Sequence, residues 1–430
     1  MNTEQLYRLY CQHPLISTDS RKIPAGCIFF ALKGQNFNGN EFAEESLAKG
    51  AAYAVVDDPA LAGNDKLILV NDVLESLQQL STWHREQLNI PVIAITGSNG
   101  KTTTKELIAA VLRQKFRVTF TQGNLNNHIG VPLSLLTMTG QTEVAIIEMG
   151  ANHPGEIAGL CRIARPDYGI ITNIGKAHLE GFGSFEGVVK TKSELYDFLR
   201  ENRGKCFVNA DNELLVKQAV GLDQLSYGTG AAAQLRGQVE ESAYYLTVKA
   251  LFPKGWLYLK SKLIGNYNAE NILAAARIGL HFDLDPLKIQ QAIENYEPDN
   301  NRSQLIQKRS NRIIMDAYNA NPTSMMAALQ NFEGINHPDK VLILGDMLEL
   351  GAYSEQEHQK IADFIAQSNI QSVFLVGDCF SKTHTPLKAK KFGSAELLIN
   401  YLYQQKTMED KLILIKGSRG IQLEKVLEKI

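Results

Sequence analysis

Long apolar runs are missing from this 430-residue chain: no stretch approaches the ~20 residues that a membrane-spanning helix needs. Cysteine is scarce and badly placed for cross-linking. Cys11, Cys27, Cys161, Cys206 and Cys379 are an odd, scattered set without a CxxC pair, which argues against a disulfide framework and a zinc site. An excess of one charge sign is also lacking, since 44 Lys and Arg face 46 Asp and Glu, so neither a general nucleic-acid binder nor a disordered chain is expected. The opening MNTEQLYRLYCQ has no basic stretch leading into an apolar one, so a cytoplasmic location without membrane insertion is expected. Internal repeats and low-complexity tracts are absent too.

What is there is length enough for two or three cores and strand and helix signals in alternation. The expected fold class is α/β in three domains. Residues 1–88 carry short β-rich runs, CIFFAL, AYAVVD and LILV, around a helical pattern near 42–49. Residues 89–298 carry the buried runs VIAIT, VAIIEM and YGIITN, each followed by a helical segment, which predicts a doubly wound parallel sheet. Alternation in YYLTVK and GWLYLK predicts hairpin strands beside that sheet, and helices follow at 268–281 and 286–295. After the turn-prone EPDNNRSQ, the runs RIIMDA, VLILGD, SVFLVGD and LILIKG predict a second, Rossmann-like open sheet in residues 299–430.

The strongest chemical signal is TGSNGKTT at 96–103, between an apolar strand and a helical run. That is the context of a phosphate-binding loop: Gly97, Ser98, Asn99 and Gly100 turn backbone N–H groups toward an anion, Lys101 reaches the terminal phosphates, and Thr102 with Thr103 opens the helix. Ile95 stands where the eight-residue pattern has its first glycine, and a plain loop is the bland alternative. ATP or GTP is therefore expected. Glu148 ends a buried strand at the edge where open α/β sheets bind ligands, and could serve Mg²⁺; by itself it reads equally as a capping group. His178 in a Gly-rich loop and Lys192 on a helix read, one at a time, as a polar loop residue and a solvated face.

Taken together, TGSNGKTT, GNLNNHIGVPLSLL, IIEMGANHPGEI, AHLEGFGSFEGVVKTKSELY, GNYNAENILAAA, DAYNANPTSM, GDMLELG and KGSRG are similar to the Mur ligases, and STDSRKIPAGCIFFALKG extends the likeness to the N-terminal segment. The resemblance implies an ATP-dependent, carbon–nitrogen bond-forming ligase of peptidoglycan precursor synthesis that works through an acyl phosphate. Its implied substrates are UDP-N-acetylmuramoyl-tripeptide and D-alanyl-D-alanine, and its implied metal is Mg²⁺, two ions. It gives Lys101 the β and γ phosphates, Thr102 and Glu148 the first metal, and His178 and Lys192 the second, with Lys192 as the lysine often carbamylated. Asn268 and Asn271 contact nucleotide, and Arg302 and Asp316 close over it. Asp19, Ser20, Arg21 and Lys33 fall in the UDP-binding stretch, Asn126 and Asn127 face the muramoyl peptide, and Asn319, Asn321, Lys416, Ser418 and Arg419 line the dipeptide side. Tyr267 departs from the His common at its place. A monomer is expected. Two rivals are a folylpolyglutamate-type ligase, which would not need residues 1–88, and a regulatory nucleotide switch without covalent chemistry.

Overall fold

The computed structural model describes residues 1–240, 244–298, 302–385 and 388–430. Asp299, Asn300 and Asn301, inside the expected turn between the second and third parts, lie outside the described residues. Among the described residues, three larger sheets follow one another along the chain, with a two-stranded ribbon of Lys33–Gly34 and Phe37–Asn38 beside the first. The first is parallel and four-stranded, in the order Ile16–Ser17, Ile28–Phe30, Tyr53–Val56, Leu67–Leu69. A helix Val73–Gln87, capped by the Asp72 side chain on the Glu75 N–H, leads from it into the second.

The second sheet has nine strands. Val92–Thr96 lies inside it between Val144–Glu148 and Tyr168–Ile171, all parallel. Every residue of Val92–Thr96 and Val144–Glu148 is buried, because helices cover both faces. This is why those runs are continuously apolar and do not alternate. Burial of each large aliphatic side chain there contributes about 1.5–3 kcal/mol. On one face lie Lys101–Leu112 and Ala269–His281; on the other, Glu156–Ala164 and Phe185–Glu201. The strands Leu235–Glu240, Tyr245–Phe252 and Gly255–Ile264 do not stand beside this sheet as expected. They extend it, because Leu235 and Arg236 pair in parallel with Tyr227 and Gly228 before the antiparallel hairpins begin.

The third sheet has six strands, Gln304–Lys308, Asn311–Asp316, Leu412–Lys416, Lys340–Gly345, Ser372–Val376 and Ala389–Phe392, parallel except for the first pair. One cluster of buried apolar side chains includes both Leu179 and Phe182 of the middle part and Met347 and Leu350 of the last, so the C-terminal sheet is docked on the central one. No helix among the described residues is long and apolar enough to cross a membrane.

In the central sheet, the strands that follow Val92–Thr96 up to Glu148 lie on one side of it, and those from Tyr168 to Ile264 on the other. The strand order therefore reverses at its carboxyl end, the place where open sheets leave a crevice for ligands.

Candidate active site

Gly97–Gly100 crosses that crevice. Gly97 has φ 144°, and a Cβ on it would stand 2.0 Å from the Thr172 hydroxyl; Gly100 has φ 77°, and its Cβ would stand 2.9 Å from Asn271 Oδ1. Both positions need glycine. Asn173 pins the turn, its carbonyl and side-chain oxygens each accepting 3.0 Å bonds from the Ser98 and Asn99 N–H groups. Because Gly100 is the cap residue, no side chain covers the first amides of Lys101–Leu112, and they face an anion-binding position with the positive end of the helix. Lys101 folds along the loop and donates to the Gly97 carbonyl at 2.7 Å. Burial pushes its ammonium pKa down, the nearby Glu148 raises it and Arg302 lowers it.

Glu148 is 2 % exposed. Its carboxylate accepts from the Thr102 hydroxyl at 3.0 Å and from the Asn126 amide at 2.9 Å, with the buried Lys105 ammonium 3.8 Å away. A buried carboxylate beside a helix-opening hydroxyl is a hard oxygen pair of the kind Mg²⁺ takes. The two asparagines of GNLNN divide their work. Asn126 holds Glu148, whereas Asn127 accepts from the Ile129 and Gly130 N–H groups and so starts the helix Gly130–Leu135.

Asn268 and Asn271 support the loop from below: Asn271 donates to Asn268 at 2.8 Å and accepts from Thr104 at 2.9 Å. Tyr267 bonds Ser303 at 3.1 Å, reaching across to the third part. Lys192 is not on a solvated face. It is 2 % exposed, its ammonium 5.4 Å from the Phe182 ring centre, and its pKa is pushed down to about 7 by burial first and by Lys101 second, against Glu156 and Glu194.

The C-terminal part closes the cleft by direct contacts. Asn321 donates to Asn99 at 2.7 Å, and Thr323 accepts from the Lys176 N–H at 3.2 Å. The buried Glu357 receives Lys176 at 2.9 Å and Lys360 at 2.8 Å. His178 Nδ1 faces the Glu349 carboxylate, which His178 holds below the usual range. Arg302 stacks 3.7 Å from the centre of Tyr318, and buried Lys416 pairs with Asp316.

All of this surrounds a cavity of about 1280 Å³ lined by all three parts. Of the residues singled out from sequence, Gly97, Lys192, Ser418, Arg419, Asp19, Ser20, Arg21 and Lys33 do not line it; the others do. Gly97 and Lys192 lie just behind its wall, in the loop and helix described above. Ser418 braces the loop, accepting from the Leu348 N–H at 3.0 Å. Asp19 and Arg21 close on each other at 2.8 Å in a turn, which holds the Asp19 carboxyl down at about 2, and Lys33 pairs with Asp57 at 2.8 Å. The cavity wall contributed by the first part is instead Thr3 and one stripe of Val73–Gln87, including Gln78, Gln79, Thr82 and Trp83. Sequence reading passed over that stripe because polar residues at helical spacing look like a solvated face.

Residues 14–97 match the model of the Mur ligase family catalytic domain, 95–279 that of the Mur ligase middle domain, and 301–419 that of the Mur ligase glutamate ligase domain. The UDP-N-acetylmuramoyl-tripeptide--D-alanyl-D-alanine ligase of Bacillus subtilis is 36% identical over 428 residues, 96% of this chain and 92% of that one. The chain belongs to the Mur ligase family. Two solved Mur ligases have the same fold throughout. One is the UDP-N-acetylmuramoylalanyl-D-glutamyl-2,6-diaminopimelate--D-alanyl-D-alanyl ligase of Acinetobacter baumannii, 32% identical with TM-score 0.85, covering 96% of this chain and 92% of that one. The other is MurF ligase from Thermotoga maritima in complex with ADP, 25% identical with TM-score 0.85 and 96% coverage of both chains. The N-terminal match in this Mur ligase is the part that a folylpolyglutamate-type ligase would not need.

Proposed function

We propose that this Mur ligase joins D-alanyl-D-alanine to UDP-N-acetylmuramoyl-tripeptide with ATP, giving the UDP-linked pentapeptide, ADP and phosphate in peptidoglycan precursor synthesis. The peptide is alanyl, D-glutamyl and a third residue, diaminopimelate or lysine. The observation that carries the reading is the single cavity in which the phosphate loop, the Val73–Gln87 stripe and the Asn319, Asn321 and Lys416 group meet. Three ligands need three walls, and one chain provides them, so a monomer suffices. The reading divides the chain into 1–88 for the UDP-linked peptide, 89–298 for ATP and 299–430 for the dipeptide, and sets the enzyme in the cytoplasm.

Lys101 and the loop amides hold the terminal phosphates, with Asn268 and Asn271 steadying the loop and Arg302 and Asp316 closing over the nucleotide. Thr102 and Glu148 would hold one Mg²⁺, and their buried oxygen pair fits it; His178 and a carbamylated Lys192 would serve a second. When bound, Mg²⁺ offsets charge on the phosphoryl oxygens. The peptide carboxylate takes the γ-phosphoryl group as the bond to ADP breaks. The dipeptide amine, oriented by Asn319, Asn321 and the cationic Lys416, then attacks the acyl carbon, phosphate departs with the C–O electron pair, and the amine loses a proton. The docked C-terminal part keeps water from the acyl phosphate.

Mass spectrometry of the products tests this: the UDP-linked species must gain one D-alanyl-D-alanine less one water. A chain that binds ATP yet leaves the tripeptide unchanged would refute the reading.

A further inference from the structure

The cavity continues away from the phosphate loop as a groove between the helices Val73–Gln87 and Glu156–Ala164, tied together by Thr82 Oγ1 donating to the Ile163 carbonyl at 3.0 Å. Its carboxylates are mostly engaged already. Glu86 pairs with Arg165 at 2.8 Å, Glu75 accepts from Gln79 at 2.9 Å, and Glu156 accepts from the Asn152 and His153 N–H groups at 2.7 and 3.1 Å. Arg162 is different. It lines the cavity, is exposed, and makes no hydrogen bond or ion pair among the described residues. Its Nη2 lies 3.8 Å from where a Cβ on Gly159 would stand, so the guanidinium leans back along its helix toward Glu156 and the nucleotide end.

Resting on the function proposed above, we propose that Arg162 receives a free carboxylate on the peptide arm of the UDP-linked substrate. Six residues of helix separate Glu156 from Arg162, about 9 Å at 1.5 Å each. Because the guanidinium leans back along that span, the remaining gap is shorter, and one peptide residue at about 3.5 Å with its side chain covers it, which suits a carboxylate on the last residue or on the one before it. A guanidinium free of partners binds a carboxylate through two parallel N–H donors. Two carboxylates are in reach: the side chain of a diaminopimelyl third residue, and the free carboxyl of the D-glutamyl residue before it. A lysyl third residue lacks the first and keeps the second.

The test compares Arg162→Gln and Arg162→Lys with the wild type on UDP-tripeptides ending in diaminopimelate or in lysine, following KM for each substrate and the thermal midpoint. The expected result is a KM for UDP-tripeptide raised at least about tenfold in Arg162→Gln. KM for ATP and for D-alanyl-D-alanine and the thermal midpoint stay unchanged, and Arg162→Lys recovers part of the loss. A rise confined to the diaminopimelyl substrate identifies the side-chain carboxylate; an equal rise on both identifies the D-glutamyl carboxyl. Unchanged KM on both, or an equal shift in the KM for ATP, overturns the inference. A wild type inactive on both substrates would refute the proposed function, and this inference with it.

Discussion

Replacing Lys192 by alanine removes a buried amine whose pKa the fold sets at about 7, through desolvation and the positive charge of Lys101. At pH 8 an amine with that value is about 90% neutral, against about 0.4% for an ordinary lysine near 10.4, so the reactive fraction is raised roughly 200-fold. The neutral amine is the form that adds CO₂: an N–C bond forms, one proton leaves, and an oxygen anion replaces a cation. Because the folded pKa lies below the unfolded one, the unfolded chain holds more protons between about pH 7 and 10.4. The destabilisation from a buried ammonium is therefore full below about pH 7 and fades as pH rises through that window. A carbamate removes the cation altogether. The expected kcat rises with pH through about 7 and falls in CO₂-free buffer. In Lys192→Ala, kcat drops at least about 100-fold, or about 2.7 kcal/mol of activation free energy, and formate or acetate restores part of it. NMR with ¹³C-bicarbonate shows a carbamate carbonyl in the wild type and none in the variant. Full activity in Lys192→Arg, or rescue by small amines and not by carboxylates, would make Lys192 a cationic phosphate ligand and refute the reasoning.

Lys101→Ala is expected to abolish turnover while calorimetry still finds UDP-tripeptide binding close to wild type, since Lys101 sits in the phosphate loop and the Val73–Gln87 wall is untouched. Normal kinetics in that variant would end the phosphate-loop assignment. Glu357→Gln removes the carboxylate that Lys176 reaches across the docked parts, which Lys360 of its own helix also holds; a contact with one buried and one half-exposed partner contributes about 1–2 kcal/mol. The docked-to-undocked ratio should then fall about 5- to 30-fold, and small-angle scattering of the free enzyme should show a larger radius that ATP and UDP-tripeptide bring back down. An unchanged radius would separate Glu357 from docking.

Strands buried on both faces were the most legible part of the chain. VIAIT became Val92–Thr96 residue for residue, because a β-rich apolar run ending in a glycine loop has few other ways to bury itself. The continuation of the central sheet into the hairpins was not legible, since pairing of Leu235 with Tyr227 depends on tertiary placement rather than on local pattern. Within the site, Lys101, Thr102 and Glu148 were readable from a local motif and a strand end. Burial of Lys192 was not, because a lysine on an amphipathic helix usually faces water. The paired role of Asn271 under Gly100 joins residues far apart in sequence, as does the pairing of Lys33 with Asp57. Trp83 and Arg162 escaped notice because each belongs to a helix face that looks solvated until the opposing helix is in place.

The most direct measurement of the central claim is ADP release by the purified full chain with Mg²⁺, ATP, UDP-N-acetylmuramoyl-tripeptide and D-alanyl-D-alanine, and with either acceptor omitted. Sustained release that needs both, one ADP for each pentapeptide formed, is the predicted result. Release at the same rate with either acceptor omitted, or none with both present, would contradict it.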